Sequence, residues 1–317
     1  MEAHQGGFFY GRLLLMKYTK PPLTIDQQLA QLERRGMVIG DPAAARHHLE
    51  HVSYYRLRAY WLPNEIPAPA AGDHAFKPGT QFETILDLYS FDRKLRLLVI
   101  DAIERVEVSL RTRWAYVLAT RYGASAHEDP KVFRNADKHK DCLGKLKAEL
   151  QRSRETFVQH YRRTYTDPAL PPLWVVCEVM SFGQLSEWFQ NLADSADRKA
   201  IAEPYGIDEQ ILESICHHLT YVRNVCAHHS RLWNREMTIG MKLARNPEEL
   251  SLCFNPLIPK RLYNSLVMLA YLLDEISPRS QWRAHLLALL DQHPKVDLAA
   301  MGFPEDWRLS AIWEHKP

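Results

Sequence analysis

Apolar residues recur every three to five positions through most of this chain, whereas strand-like alternation is scarce. The longest run, "FETILDLYSFDRKLRLLVIDAIERVEVSLRTRWAYVLATRYG", carries Leu88, Phe91, Leu95, Leu98, Ile103, Val106, Leu110, Trp114 and Val117 on one stripe. Asp92, Arg93, Arg96, Asp101, Glu104 and Arg111 fall between them. That spacing predicts a long amphipathic helix, or two nearly continuous ones, ended at Gly123. The same period returns at Leu143, Leu146, Leu150, Phe157 and Tyr161. A third segment, "PPLWVVCEVMSFGQLSEWFQNLA", opens after a proline pair suited to a helix start. Its Ser-Phe-Gly at 181–183 predicts a bend or split. In "IDEQILESICHHLTYVRNVCAHH" Asp208 is the expected cap, with Ile211, Ile215, Leu219 and Val222 on one face. Residues 257–276 predict another strongly apolar helix, stopped by Pro278.

Toward the N-terminus, "AARHHLEHVSYYRLRAYWLP" reads as a helix followed by extended chain, with a short hairpin expected around 74–80 and the clearest linker at 67–79. The expected organisation is all-α. It comprises an extension (1–15), with Met16 as a plausible start, then a small N-terminal helical section (16–78), a helical domain (79–277) and a C-terminal tail (278–317) rich in Trp and Pro.

Composition narrows the class. The chain has 317 residues, 46% hydrophobic and 25% charged, which fits a globular protein and not a disordered one. No stretch approaches the ~18 consecutive apolar residues of a membrane-spanning helix. The start of the chain has no signal-peptide pattern. Five widely spaced cysteines without a C-x-x-C pair argue against a disulfide framework or a structural zinc site, and fit a reducing cytoplasm. The formal charge of +2 decides nothing about nucleic acid. Locally, though, residues 138–163 hold eight Lys/Arg against three Asp/Glu. Lys138, Lys140, Lys145, Lys147, Arg152 and Arg154 could form a solvated helix face or a surface for RNA phosphates.

The densest candidate chemistry is "RNVCAHHSRLWNR", residues 223–235. A single metal ion cannot be held by both histidine pairs, His217-His218 and His228-His229. Eleven residues of continuous helix separate them by ~16 Å of rise, against bonds of about 2 Å. Cys226 sits mid-helix without a nucleophile turn. Metal-free acid–base chemistry remains. A fixed arginine, Arg223, can clamp a phosphate, and the imidazole of His228 can exchange a proton with a ribose 2′-hydroxyl or a leaving 5′-oxygen. Such chemistry selects RNA, because DNA lacks the hydroxyl. The R-x4-H spacing also occurs at Arg46…His51 and Arg134…His139, but only Arg223…His228 closes an apolar helix beside a second polar cluster, Ser230, Arg231, Asn234 and Arg235. Five residues turn an ideal helix by about 140°, so the pair needs a loosened helix, a long arginine reach, or a symmetric dimer that gathers two copies.

The segment 22–235 resembles the abortive-infection (Abi, AbiD/AbiF-like) family of bacterial phage-defence proteins. "HVSYYRLRAYWLP", "FKPGTQFETILDLYSFDRKLR", "AIERVEVSLRTRWAY", "LPPLWVVCEVMSFGQLSEWFQNL" and "YVRNVCAHHSRLWNRE" carry the resemblance, in order. It implies a HEPN-like helical bundle, often dimeric, cleaving RNA without metal or other cofactor. By that likeness Arg223 and His228 match the catalytic pair and Asn224 the polar residue after the arginine. His229, Arg231, Asn234 and Arg235 match the motif's surroundings without an assigned role. A homodimer and a small structured regulatory RNA are the implied partners. Three readings stay open: an endoribonuclease toxin, a non-catalytic RNA-binding regulator of the same fold, and a helical adaptor or membrane-associated killer.

Overall fold

The computed structural model describes residues 21–67 and 74–314. The expected extension at 1–15, Met16 and residues 68–73 of the expected linker lie outside them. By its internal packing the chain divides into two compact units, one up to Ile85 and one from Leu86.

The first unit holds α1 (Ile25–Arg34), α2 (Pro42–Val52) and α3 (Tyr54–Trp61), with β1 (Glu65–Ile66) paired antiparallel to β2 (Ala75–Phe76). Thr24 and Gln27 close a capping box on α1, and Asp41 caps α2 by accepting from Ala44 N. The segment after α2, expected to be extended, is helical instead. Ser53 adopts φ 66°, ends α2, and caps α3 by accepting from Arg56 N. One residue redirects the chain, so no extended stretch is needed. Arg35 ties α1 to the hairpin. It donates to Tyr54 Oη at 2.8 Å and Glu65 Oε1 at 2.7 Å, and its guanidinium lies 4.7 Å over the Phe76 ring. The Glu65 side chain is largely covered, which opposes its charge, but hydrogen bonds from Arg35 and Arg58 hold its carboxyl below the usual range.

The predicted long helix is one helix, α4 (Phe82–Tyr122), of 41 residues. It has no internal Gly or Pro to break it, and Gly123 at φ 94° ends it. From Leu86 onward α4 belongs to the second unit, where Phe91, Leu95, Ile103, Val106, Leu110 and Trp114 are buried as the stripe predicts. Two residues depart from the expected polar face: Asp92 and Arg96 are buried too. Next come α5 (Ala136–Arg152) and α6 (Thr156–Thr164). Leu146, Leu150 and Val158 are buried, whereas Phe157, expected on the stripe, is exposed. The non-helical break at Ser153 shifts α6 out of register with α5.

The Ser-Phe-Gly segment splits the next helix as expected. α7 (Leu173–Val179) ends at Met180, and Ser181 starts α8 (Phe182–Gln190) with a capping box to Gln184. Then follow α9 (Ser195–Ala202) and α10 (Glu209–Ala227), capped by Asp208 accepting from Gln210 N. α5 packs on α7 and α8, while α8 and α9 pack on α10. After the short α11 (Glu248–Ser251) comes α12 (Leu262–Ile276). It starts five residues later than predicted, after Pro259, because proline disfavours helix in the residue before it. Eleven of the 15 residues of α12 are buried, so most of its surface must be covered. The segment after 278 supplies cover: α13 (Trp282–Gln292) and 3-10 turns place Phe303, Trp307 and Trp313 around Tyr263. Among the described residues no helix is long and apolar enough to cross a membrane.

Candidate active site at the end of helix α10

α10 stops at Ala227, one residue before the histidine pair. The stop is a Schellman turn: Ser230 N–H donates to Val225 O and His229 N–H to Cys226 O, each at 3.0 Å. His229 takes the left-handed position at φ 55°, where glycine is usual. His228 is the C-cap, its N–H bonded to Asn224 O at 3.0 Å. The left-handed turn begins only at His229, so the ~140° between Arg223 and His228 remains, and the arginine's reach or a second copy has to close it. Asn224, His228 and His229 are exposed and Arg223 half-buried. Arg223 Nη1 lies 3.4 Å from Asn224 Oδ1.

The loop beyond the turn is held by a charged pair inside the protein. Asp92 has no solvent exposure; it accepts from Trp233 N at 2.6 Å and Leu232 N at 3.1 Å, and pairs with Arg96 one turn along α4. A carboxylate out of water needs such partners. Trp233 Nε1 donates to Asp297 O at 3.1 Å, and Asn234, at φ 50°, accepts from Arg261 at 2.9 Å through Oδ1. Arg235 Nε donates to Arg231 O at 2.7 Å, while the Arg231 guanidinium lies 5.9 Å from the Trp233 ring. Thus Arg231, Asn234 and Arg235 have visible work in shaping this loop.

Another acid–arginine pair on α4 is Glu107 with Arg111. Arg111 Nη2 contacts Glu107 Oε1 at 2.5 Å and donates to Met180 O at 2.7 Å; its Nη1 is 3.6 Å from Glu178. Burial raises the Glu107 carboxyl above its ordinary range, with Arg111 and then Arg223 pulling against that shift. Glu107 and Arg223 are thus near enough for the arginine's charge to be felt at the carboxylate. Beside Glu178 a groove of about 400 Å³ is lined by Tyr116, Trp174, Thr112 and Cys177, with Tyr116 61% and Trp174 56% exposed. Sequence reasoning overlooked Asp92, Arg96 and Glu107 as site-shaping groups. The available signal was an acid followed by arginine four residues later, which occurs three times on α4, at Asp92/Arg96, Asp101/Arg105 and Glu107/Arg111, and does not by itself say which pairs are buried.

Residues 47–234 match the protein family described as Abi-like protein. The chain belongs to that family. No curated protein and no solved structure matches it. The Abi-like match runs from α2 to Asn234, so it contains both buried acid–arginine pairs and the whole turn at the end of α10. Membership supports a role in phage defence.

Within this Abi-like chain the two other R-x4-H spacings sit in different surroundings. His139 is buried, stacked on Phe133, with Nε2 2.9 Å from His127 O. Arg46 is engaged by Asp26 on a solvent-facing helix. His51 is exposed in the last turn of α2, and His228 is exposed at the end of α10, where buried Asp92 holds the loop that follows. His218 is a core residue: its ring nitrogens meet Ile239 O at 2.6 Å and Ser265 Oγ at 2.7 Å, and burial lowers its pKa. Burial also pushes the Cys226 thiol up to about 12, which leaves almost no thiolate for a nucleophile. The basic residues of α5 and of the link that follows it divide. Lys145 bridges Asp141 and Glu187 at 2.9 Å each, Arg152 pairs with Glu149 at 2.7 Å, and Lys138 contacts Gln190. Lys140, Lys147 and Arg154 are exposed. Through Arg134 and Gln190 the start of α5 reaches Glu213 on α10, ten residues and so ~15 Å of helix from Arg223.

Proposed function

We propose that the turn closing α10 is the active site of a metal-independent endoribonuclease used in phage defence. His228 is the general acid/base, Arg223 clamps the scissile phosphate, and Asn224 orients it. The ribose 2′-oxygen attacks the adjacent phosphorus as its proton passes to imidazole; the P–O5′ bond breaks and the 5′-oxygen takes up a proton. The products are a 2′,3′-cyclic phosphate and a 5′-hydroxyl. The observation that carries the reading is half-buried Arg223 beside exposed Asn224, with exposed His228 at the helix end and the following loop held by buried Asp92. A fixed scaffold is what catalysis by positioning requires. The reaction needs a base and an acid, so we further propose a homodimer in which two copies of His228 share these roles. Lys140, Lys147 and Arg154 would hold RNA backbone, and a small structured RNA would restrain the enzyme at rest.

The test compares wild type with His228→Ala on labelled single-stranded RNA in excess EDTA, with product ends analysed. Cleavage is expected to fall at least ~10²-fold in His228→Ala and ~10²- to 10³-fold in Arg223→Ala. Cleavage surviving His228→Ala, or abolished by EDTA in wild type, would refute the mechanism. If neither protein cuts and both retain RNA, the non-catalytic RNA-binding regulator takes its place.

A further inference from the structure

α2 carries a second cluster, in the first unit, that the endoribonuclease reading does not use. Ala45 and Leu49 are buried and anchor the helix, while Arg46, His47, Glu50 and His51 form the opposite, exposed face. Residues at i, i+3 and i+4 stand over one another on a helix surface. Such a face is ordinarily just solvated, and its long side chains fan apart. Here they converge: the His47 and His51 ring centroids are 4.5 Å apart, and one ligand atom from each of His47, Glu50 and His51 lies within 4.8 Å of the other two. Among the described residues this is the group of three or more His, Cys, Asp or Glu side chains drawn that close. The neighbouring cation does not compete for Glu50, because the Arg46 guanidinium is engaged by Asp26.

We infer that His47, Glu50 and His51 form a binding site for one divalent transition-metal ion, with zinc as the probe. Two imidazoles and a carboxylate suit zinc, nickel, cobalt or copper rather than magnesium or calcium, which take oxygen ligands. Around a tetrahedral zinc the donor atoms stand about 3.4 Å apart, for bonds of about 2.0–2.2 Å. The donors in α2 must close by little more than one ångström, a motion that exposed side chains make by torsion alone. Three protein donors leave a fourth position for water. The helix contributes preorganisation: Asp41 caps its start, so the i and i+4 imidazoles are placed before the ion arrives. An ion gripping positions 47 and 51 also favours the folded helix over the unfolded chain.

Calorimetric titration of the tag-free full chain with ZnCl2, and with MgCl2 in parallel, tests the site. Wild type is expected to take up zinc and to ignore magnesium. The double variant His47→Asn/His51→Asn should lose one equivalent of zinc, and Glu50→Gln should bind that equivalent at least tenfold more weakly. Circular dichroism confirms that the variants keep their helices, since all three positions face solvent. The inference is overturned if wild type binds no zinc, or if the double variant gives the wild-type isotherm, because zinc is then held elsewhere. Neither result bears on RNA cleavage, which is read in EDTA.

Discussion

Asp92→Ala removes a fully buried carboxylate from between α4 and the loop that follows the candidate active site. Two backbone donors, Leu232 N–H and Trp233 N–H, lose their acceptor, and buried Arg96 loses its ionic partner. An unsatisfied buried donor costs about 1–3 kcal/mol, and breaking a buried pair by deleting one member costs about 3–5 kcal/mol. These costs overlap, since one relaxation relieves several of them, and together they amount to about 4 kcal/mol, a large share of a typical ~5–15 kcal/mol stability. Asp92→Asn separates the contributions. Its amide oxygen can keep the Oδ1 position on which Leu232 N–H and Trp233 N–H both converge, while the charge facing Arg96 disappears, so the expected loss is about half. Urea unfolding, followed by tryptophan fluorescence, measures both variants against wild type. The reasoning fails if Asp92→Ala costs less than about 1 kcal/mol, or if Asn is as damaging as Ala. RNA cleavage provides a second readout: a loosened 230–235 loop should lower it even where Asp92→Asn remains folded.

Other outcomes follow from the same geometry. His127 is completely buried with neither ring nitrogen bonded, and burial lowers its pKa from 6.5 to about 4. The unfolded chain therefore binds the proton first. This contribution is intact above pH 6.5, is lost as pH falls from there toward 4, and has lost about 2 kcal/mol by pH 5. The difference in stability between wild type and His127→Phe should change with pH by that amount, and a flat difference between pH 7 and 5 would contradict it. Cys226→Ala should leave cleavage within about twofold and cost about 1 kcal/mol of stability; a hundredfold rate loss would return the thiol to candidacy. Replacing Lys140, Lys147 and Arg154 together by glutamine should lower the slope of log affinity for single-stranded RNA against log salt by about 2. An unchanged slope would remove that surface from the RNA path.

Much of the helical framework could be read along the chain, because periodicity and capping are local properties. The course of α4 to Gly123, the split at Ser181 and the Asp208 cap depend on side chains within a few residues of one another. The residues at the end of α10 were also readable, as was the resemblance to the Abi-like family. Where an element was misjudged, a single local conformation decided it: Ser53 at positive φ turns the chain into α3 instead of an extended stretch. Ranking the three R-x4-H spacings by physical accessibility required the tertiary structure. His139 is buried whereas His51 and His228 are exposed, and exposure is set by what packs on them. The same holds for Asp92 and Arg96. By sequence they occupy the polar side of an amphipathic helix, yet a loop 140 residues away covers them and supplies the backbone donors that make their burial affordable. A charge's solvation is a property of everything around it in space, whereas the helical period records only neighbours along one chain.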